Sequence, residues 1–302
     1  MLLGIVGPTA SGKTELALAV ARRMPIEILV ADSRQVYRGM DVGTAKPDPA
    51  ARAMVPHHLI DLVDPDEPFT VAQWVSAARQ LVPTVSARGA LPTLVGGTGL
   101  YVAALVDGHD YAAQPWSPEI RVRLAAELET DGLAPLVARL ATLDPAAAAR
   151  IDTQNPRRVL RALERAEAGG GGVVLRANPY PGRVVLVALS RPRDVLYRRI
   201  AERARWLFET GGLLDEVRRL VAAGFHADLP PMTGHGYREA ARHLAGEWSL
   251  EEAIEVTARR TRQYAKRQLS WFRRDPRIAW LPTEDAPGDA AAIVGRVVEL
   301  VG

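Results

Sequence analysis

Apolar residues recur along this chain with two periods, and the alternation between them outlines its architecture. Apolar runs of strand length stand at Leu2–Val6, Ile26–Ala31, Leu59–Val63, Leu91–Val95 and Val184–Leu189. Between the early runs the spacing turns helical, as in Leu16, Ala17, Val20 and Ala21, and again over Val71–Arg88, where Pro83 should kink or end the helix. Strands alternating with helices from the first residue predict an α/β fold on a parallel, doubly wound sheet. From about Gln114 the pattern becomes a series of short helices: Pro118–Glu129, Leu133–Leu143, Pro145–Arg150 and Pro156–Ala168, followed by a Gly169–Gly172 break. The expected organisation is a core over residues 1–113 and 183–302, interrupted by an all-helical insertion over 114–182. A last long helix opens at Ser249, with Glu252 completing a capping box, and carries the stripe Ile254, Ala258, Ala265, Leu269 and Phe272.

Composition narrows the class. A chain of 302 residues with 48% hydrophobic and 24% charged positions can bury a sizeable core, which excludes a disordered chain. No apolar stretch approaches the roughly 18 residues of a membrane helix. The absence of cysteine excludes a disulfide scaffold, a thiolate zinc site and a cysteine nucleophile. A cytoplasmic protein without a membrane association is expected. The net charge of +3 hides an uneven distribution: Thr257–Arg274 holds seven basic residues and no acidic one, with Tyr264 and Trp271 interleaved. Such a run is either a solvated helix face or a nucleic-acid surface. Lysine stands at only three positions, Lys13, Lys46 and Lys266, against 35 arginines. Each of the three falls in a motif.

The clearest motif is Gly7-Pro8-Thr9-Ala10-Ser11-Gly12-Lys13-Thr14, between a strand and a helix. Its glycines let backbone N–H groups turn toward a di- or triphosphate, Lys13 reaches the outer phosphates, and the Thr14 hydroxyl is placed for Mg²⁺. Asp32-Ser33-Arg34-Gln35 follows the second strand and should face the same crevice. Asp32 could take a proton, hold metal-bound water or simply cap a helix; Gln35 could pair with an adenine edge, and Arg34 with phosphate or base. Gly96-Gly97-Thr98-Gly99 ends another strand, with Thr98 able to donate to phosphate. His57-His58, with neither cysteine nor an acidic cluster beside it, reads as structural rather than metal-binding. Arg157-Arg158-Val159-Leu160-Arg161 lies on a helix of the insertion, where Arg158 and Arg161 share a face.

Taken together these segments resemble a known family. GPTASGKT at 7–14, DSRQVYRGMDVGTAKP at 32–47, HHLID at 57–61, GGTGLY at 96–101, RVLRALE at 158–164, GLLDEV at 212–217 and RQYAKRQLSWFRR at 262–274 occur in the order seen in tRNA dimethylallyltransferases. The resemblance implies a P-loop-kinase-like core with a helical insertion, and transfer of a dimethylallyl group from its diphosphate to N6 of the adenosine 3′ of the anticodon. It implies Asp32, Thr98 and Lys13 as catalytic residues. Gly7 to Thr14 and Arg203 would hold the diphosphate with Mg²⁺ on Thr14. Asp32, Ser33, Arg34, Gln35, Thr98, Arg121, the stretch Arg157 to Arg161 and Lys266 would contact tRNA, and no obligate protein partner is implied. Two segments depart from the family pattern: a glycine run follows the RALE segment, and the AIGYKE-like motif appears as Thr233-Gly234-His235-Gly236-Tyr237-Arg238-Glu239. The rival readings are a small-molecule P-loop kinase, with Asp32 as base, and an ATP-gated RNA-binding protein.

Overall fold

The computed structural model describes residues 1–108, 117–170, 177–283 and 289–302. They form two compact units, one comprising Met1–Val106 and Tyr180–Gly302, the other Asp107–Pro179. The boundary expected at Gln114 and the glycines Gly171 and Gly172 of the expected break lie outside the described residues.

The larger unit begins β1 (Leu2–Val6), α1 (Lys13–Ala21), β2 (Ile26–Val30), α2 (Pro49–Met54), β3 (His57–His58), α3 (Val71–Ala87), β4 (Leu91–Gly96) and α4 (Gly99–Val106). The smaller unit holds α5 (Pro118–Asp131), α6 (Leu133–Leu143), α7 (Pro145–Arg150) and α8 (Pro156–Arg165). The chain then returns to β5 (Val184–Ser190), α9 (Arg193–Glu209), α10 (Leu213–Ala222), α11 (Tyr237–Leu244), α12 (Leu250–Phe272), β6 (Ile278–Pro282) and α13 (Asp289–Val301). The six strands make one parallel sheet in the order β3-β2-β4-β1-β5-β6.

Side-chain alternation sorts the helices onto two faces. Leu2 and Val6 of β1, with Leu94 and Leu186, pack against Trp74, Val82 and Val85 of α3 and Val102 and Leu105 of α4. Leu3 and Ile5, with Val95 and Val187, face Leu16 and Val20 of α1 and Ile293 and Val297 of α13. Strands covered on both sides are apolar at nearly every position, Glu27 and Thr93 excepted, which is why the runs read so clearly.

One expectation fails and another is narrowed. The third strand is His57–His58 rather than Leu59–Val63. Leu59 and Asp61 adopt φ of 66° and 55°, which turns the backbone out of extension, and Asp61 thereby reaches both Lys46 (2.5 Å) and Arg52 (3.0 Å). Pro83 does not end α3, which continues to Ala87; the proline is on the exposed face of the helix.

In the smaller unit, Leu124, Leu136, Leu140, Ala147, Val159 and Leu163 make a separate core. Three of its helices start alike. The side chains of Ser117, Asp144 and Asn155 each cap a helix whose first residue is proline. The capping oxygen satisfies N–H groups of the first turn, and the proline lacks one that would otherwise need a partner.

Candidate active site

The site is assembled at the carboxyl ends of three neighbouring strands. β1 leads into the P-loop, β2 into Asp32, and β4 into the GGTG turn. Gly96 is required for this convergence, because a Cβ there would collide with the Ala31 carbonyl. Thr98 locks the junction: its N–H donates to Ala31 O (3.1 Å), its Oγ1 accepts from Ser33 N–H (3.0 Å), and it is hydrogen-bonded to the Tyr264 hydroxyl. Asp32 Oδ1 accepts from Arg34 N–H at 2.8 Å, so the carboxylate is oriented by its own loop.

The P-loop is held from several sides. Gln268 of α12 accepts from Thr9 N–H (2.9 Å) and donates to Gly97 O (2.9 Å), tying the loop to the GGTG turn. Arg191 Nε donates to Ser11 O at 2.8 Å, and Arg199 Nε to Ala10 O at 3.1 Å. Gly12, at φ 93°, precedes α1, whose first residues Lys13 and Thr14 sit at its positive end. Lys13 Nζ donates to Pro8 O at 2.6 Å.

Electrostatics mark the crevice. Burial lowers the Lys13 ammonium to about 8, opposed by Asp32 and Glu15 and assisted by the Arg203 charge. Arg203, on α9, is also pushed down by burial, with Asp32 and Glu15 opposing. Among the described residues no carboxylate comes within ion-pair distance of Arg203. Two adjacent cations are therefore partly stripped of water, with Asp32 and Glu15 only partly offsetting the cost, and a bound anion would relieve both. Ser11 Oγ, buried without a hydrogen-bond partner, adds a polar atom to the same loop. Beside it a cavity of about 300 Å³ is lined by Arg191, Arg193, Lys266 and Arg273, with no carboxylate in its wall.

The residues also bear on a divalent ion. Thr14 is exposed at the head of α1, and no group of three or more potential His, Cys, Asp or Glu ligands occurs among the described residues. The Thr14 hydroxyl, the Asp32 and Glu15 carboxylates that act on Lys13, and the unpartnered Ser11 Oγ suit Mg²⁺ that arrives on a diphosphate and keeps most of its water.

Other candidates are placed differently from expectation. Both Gln35 Nε2 protons are used, on Thr44 O (3.0 Å) and Ala45 O (3.1 Å), so the bidentate adenine pair expected of Gln35 is not available; only its carbonyl oxygen remains. Arg34 donates to Pro230 O at 2.6 Å. Lys46 is buried, donating to Tyr37 O, Asp41 and Asp61, and it braces the loop behind Asp32. In the smaller unit Val159 is fully buried, so a side-chain contact from Val159 to RNA is ruled out, and Leu160 packs against the same core. Arg121 and Arg161 both pair with the buried Glu164, at 3.2 and 3.1 Å, while Arg157 and Arg158 are exposed. His58 pairs with Glu27 at 2.6 Å and His57 Nδ1 bonds Val55 O at 2.7 Å.

Two organising residues escaped the sequence reading. Gln268 is one. The other is Glu216, buried on α10, which accepts from the N–H groups of Asp41, Val42 and Gly43 and from the Tyr237 hydroxyl. Each stands as a polar residue inside an apolar helical stripe, Ala265-Gln268-Phe272 and Leu213-Glu216-Val217-Leu220, and that break in the pattern is the signal.

Comparison with known proteins bears on the same residues. A family model for IPP transferase matches residues 35–275, and one for isopentenyl transferase matches residues 1–54. A tRNA dimethylallyltransferase of Roseiflexus sp. (strain RS-1) is 47% identical, covering 99% of each chain. One from Thermobifida fusca is 44% identical, covering 99% of this chain and 94% of its own length. The crystal structure of tRNA isopentenylpyrophosphate transferase from Bacillus halodurans superposes with a TM-score of 0.72 at 40% identity, over 99% of this chain and 97% of that one. A eukaryotic dimethylallyltransferase captured acting on tRNA shares the fold, with a TM-score of 0.77 at 23% identity, over 98% of this chain and 77% of that one. With a matching model over most of its length and relatives this similar end to end, the chain belongs to the IPP transferase family.

Proposed function

We propose that this protein transfers the dimethylallyl group of dimethylallyl diphosphate to N6 of the adenosine 3′ of the anticodon in tRNA, releasing diphosphate. The observation that carries the reading is the pair Lys13 and Arg203, two half-buried neighbouring cations at a P-loop, with the Asp32 carboxylate beside them. A diphosphate leaving group needs that positive charge; an amine acceptor needs that base.

In this reading the C–O bond to the diphosphate breaks as the bond from N6 to the allylic carbon forms. Lys13, Arg203 and the P-loop N–H groups take up the charge that develops on the departing oxygen. Thr98, hydrogen-bonded to the Tyr264 hydroxyl and to Ser33 N–H, is held at the junction between the P-loop and Asp32, where it would face the diphosphate or the acceptor. The adenine amine is a weak nucleophile because its lone pair is delocalised into the ring, so Asp32 accepts its proton as the new bond forms. Mg²⁺ held by Thr14 and the diphosphate would supply further charge neutralisation. The target base has to leave its stack to reach such a crevice. Arg157, Arg158 and the cationic face of α12, with Lys266, would hold the RNA backbone. The reaction needs no membrane, and among the described residues no helix is long and apolar enough to cross one. It would take place in the cytoplasm, and a single chain carries every group it needs.

The test is incubation with Mg²⁺, labelled dimethylallyl diphosphate and unmodified tRNA, followed by digestion to nucleosides. Label on the N6-substituted adenosine is expected. ATP turnover without labelled adenosine would instead support the kinase or the ATP-gated binder. A metabolite kinase has no use for the seven clustered cations of Thr257–Arg274.

A further inference from the structure

Resting on the transfer reading above, we propose that His235 is a specificity-determining residue, whose ring nitrogen Nδ1 hydrogen-bonds the base edge of the RNA nucleotide next to the acceptor adenosine. His235 Nδ1 is buried and has no hydrogen-bond partner. A buried polar atom without a partner is costly to leave in place, and a ligand group brought against it would supply the missing bond.

The ring is fixed rather than loose. It packs against Tyr264, centroids 5.4 Å apart and planes tilted by 55°. Its loop is pinned on one side by Arg34, which donates to Pro230 O (2.6 Å), and on the other by Gly236 N–H, which donates to Glu239 (2.8 Å). Glu239 is buried and paired with Arg260.

The position follows from Tyr264. Its hydroxyl is bonded to Thr98, hence beside Ser33 and Asp32, while its ring faces His235. His235 thus stands a tyrosine's length away from the carboxylate that serves the acceptor amine. That distance suits the adjoining nucleotide better than the acceptor itself.

The chemistry of the ring selects a base over a phosphate. Burial lowers the imidazole to about 4, with Arg260, Arg267 and Arg34 lowering it further and Glu239 opposing. A neutral imidazole offers one donor and one acceptor, and a base edge presents both kinds of partner. A phosphate oxygen only accepts, and the surrounding arginines serve it better.

The experiment compares wild type, His235→Val and His235→Asn on anticodon stem-loop RNAs. These keep the acceptor adenosine and carry each of the other bases at either neighbouring position. Wild type is expected to lose about tenfold in kcat/KM on at least one neighbour substitution, in line with the discrimination of a base-edge contact. In His235→Val that preference should flatten to within about threefold, the loss appearing in KM for RNA and not for the diphosphate donor. His235→Asn, which can place an amide close to the Nδ1 position, should recover part of it. Three results would overturn the proposal: wild type indifferent to both neighbours, His235→Val discriminating as wild type does, or His235→Val raising KM for donor and every RNA alike. Wild type that labels no RNA at all would overturn the transfer reading itself.

Discussion

Lys13 illustrates how a single residue couples fold and chemistry. Burial holds its ammonium at about 8, below the usual lysine range, because water is removed faster than Asp32 and Glu15 can compensate. Two opposite pH effects follow. The unfolded chain binds the extra proton between about 8 and the ordinary lysine value, so this group makes stability rise with pH through that window. Donor binding needs the charged form, so kcat/KM for the diphosphate should fall as pH rises through about 8. Lys13→Arg should remove that alkaline limb, because a guanidinium stays charged. Lys13→Ala should remain folded, judged by its thermal midpoint, and lose at least about a hundredfold in donor turnover, a typical loss for a charge-stabilising group. A pH profile flat across pH 7–9 in wild type would detach Lys13 from the donor.

At the scale of elements, what could be read in the sequence followed physical period. The apolar strands β1, β2, β4 and β5 and the proline-started helices α5, α7 and α8 were legible because burial and capping write directly into local sequence. β3 was legible only at its start, where His57-His58 begins a strand-like run; its early end was not, since two residues with positive φ are invisible in an apolar run. Nor were the uses of Gln35 and Glu216, which depend on partners distant in the chain: Glu216 meets Val42 174 positions away. α12 combines a buried and a charged role. Its Gln268 joins the P-loop to Gly97, and Gln268→Ala should cost about tenfold in donor turnover, as one buried and one part-buried hydrogen bond are lost. The check is donor kcat/KM alongside the thermal midpoint. Arg259, Lys266 and Arg273 are exposed along α12. Neutralising all three to glutamine should flatten the salt dependence of tRNA affinity by about 0.7–0.9 per cation that meets a phosphate. An unchanged slope would make this a merely solvated face.

For the whole molecule, the order β2-β4-β1 brings Asp32, Thr98 and the P-loop to one rim of the sheet, so the proposed base and the cations proposed for the leaving group share a crevice. Joining the two is the central claim, and Asp32→Asn tests it most directly. The amide keeps the size of the carboxylate and accepts a hydrogen bond, but it cannot take the amine proton. Single-turnover transfer should slow by about 10²–10⁴, the usual worth of a general base, with donor and tRNA affinities close to wild type. The measurement is that rate, together with donor affinity, across a Mg²⁺ series. The account predicts a rate that stays low at every Mg²⁺ concentration; weakened donor binding, with the rate restored by high Mg²⁺, would contradict it and make Asp32 a metal-holding residue.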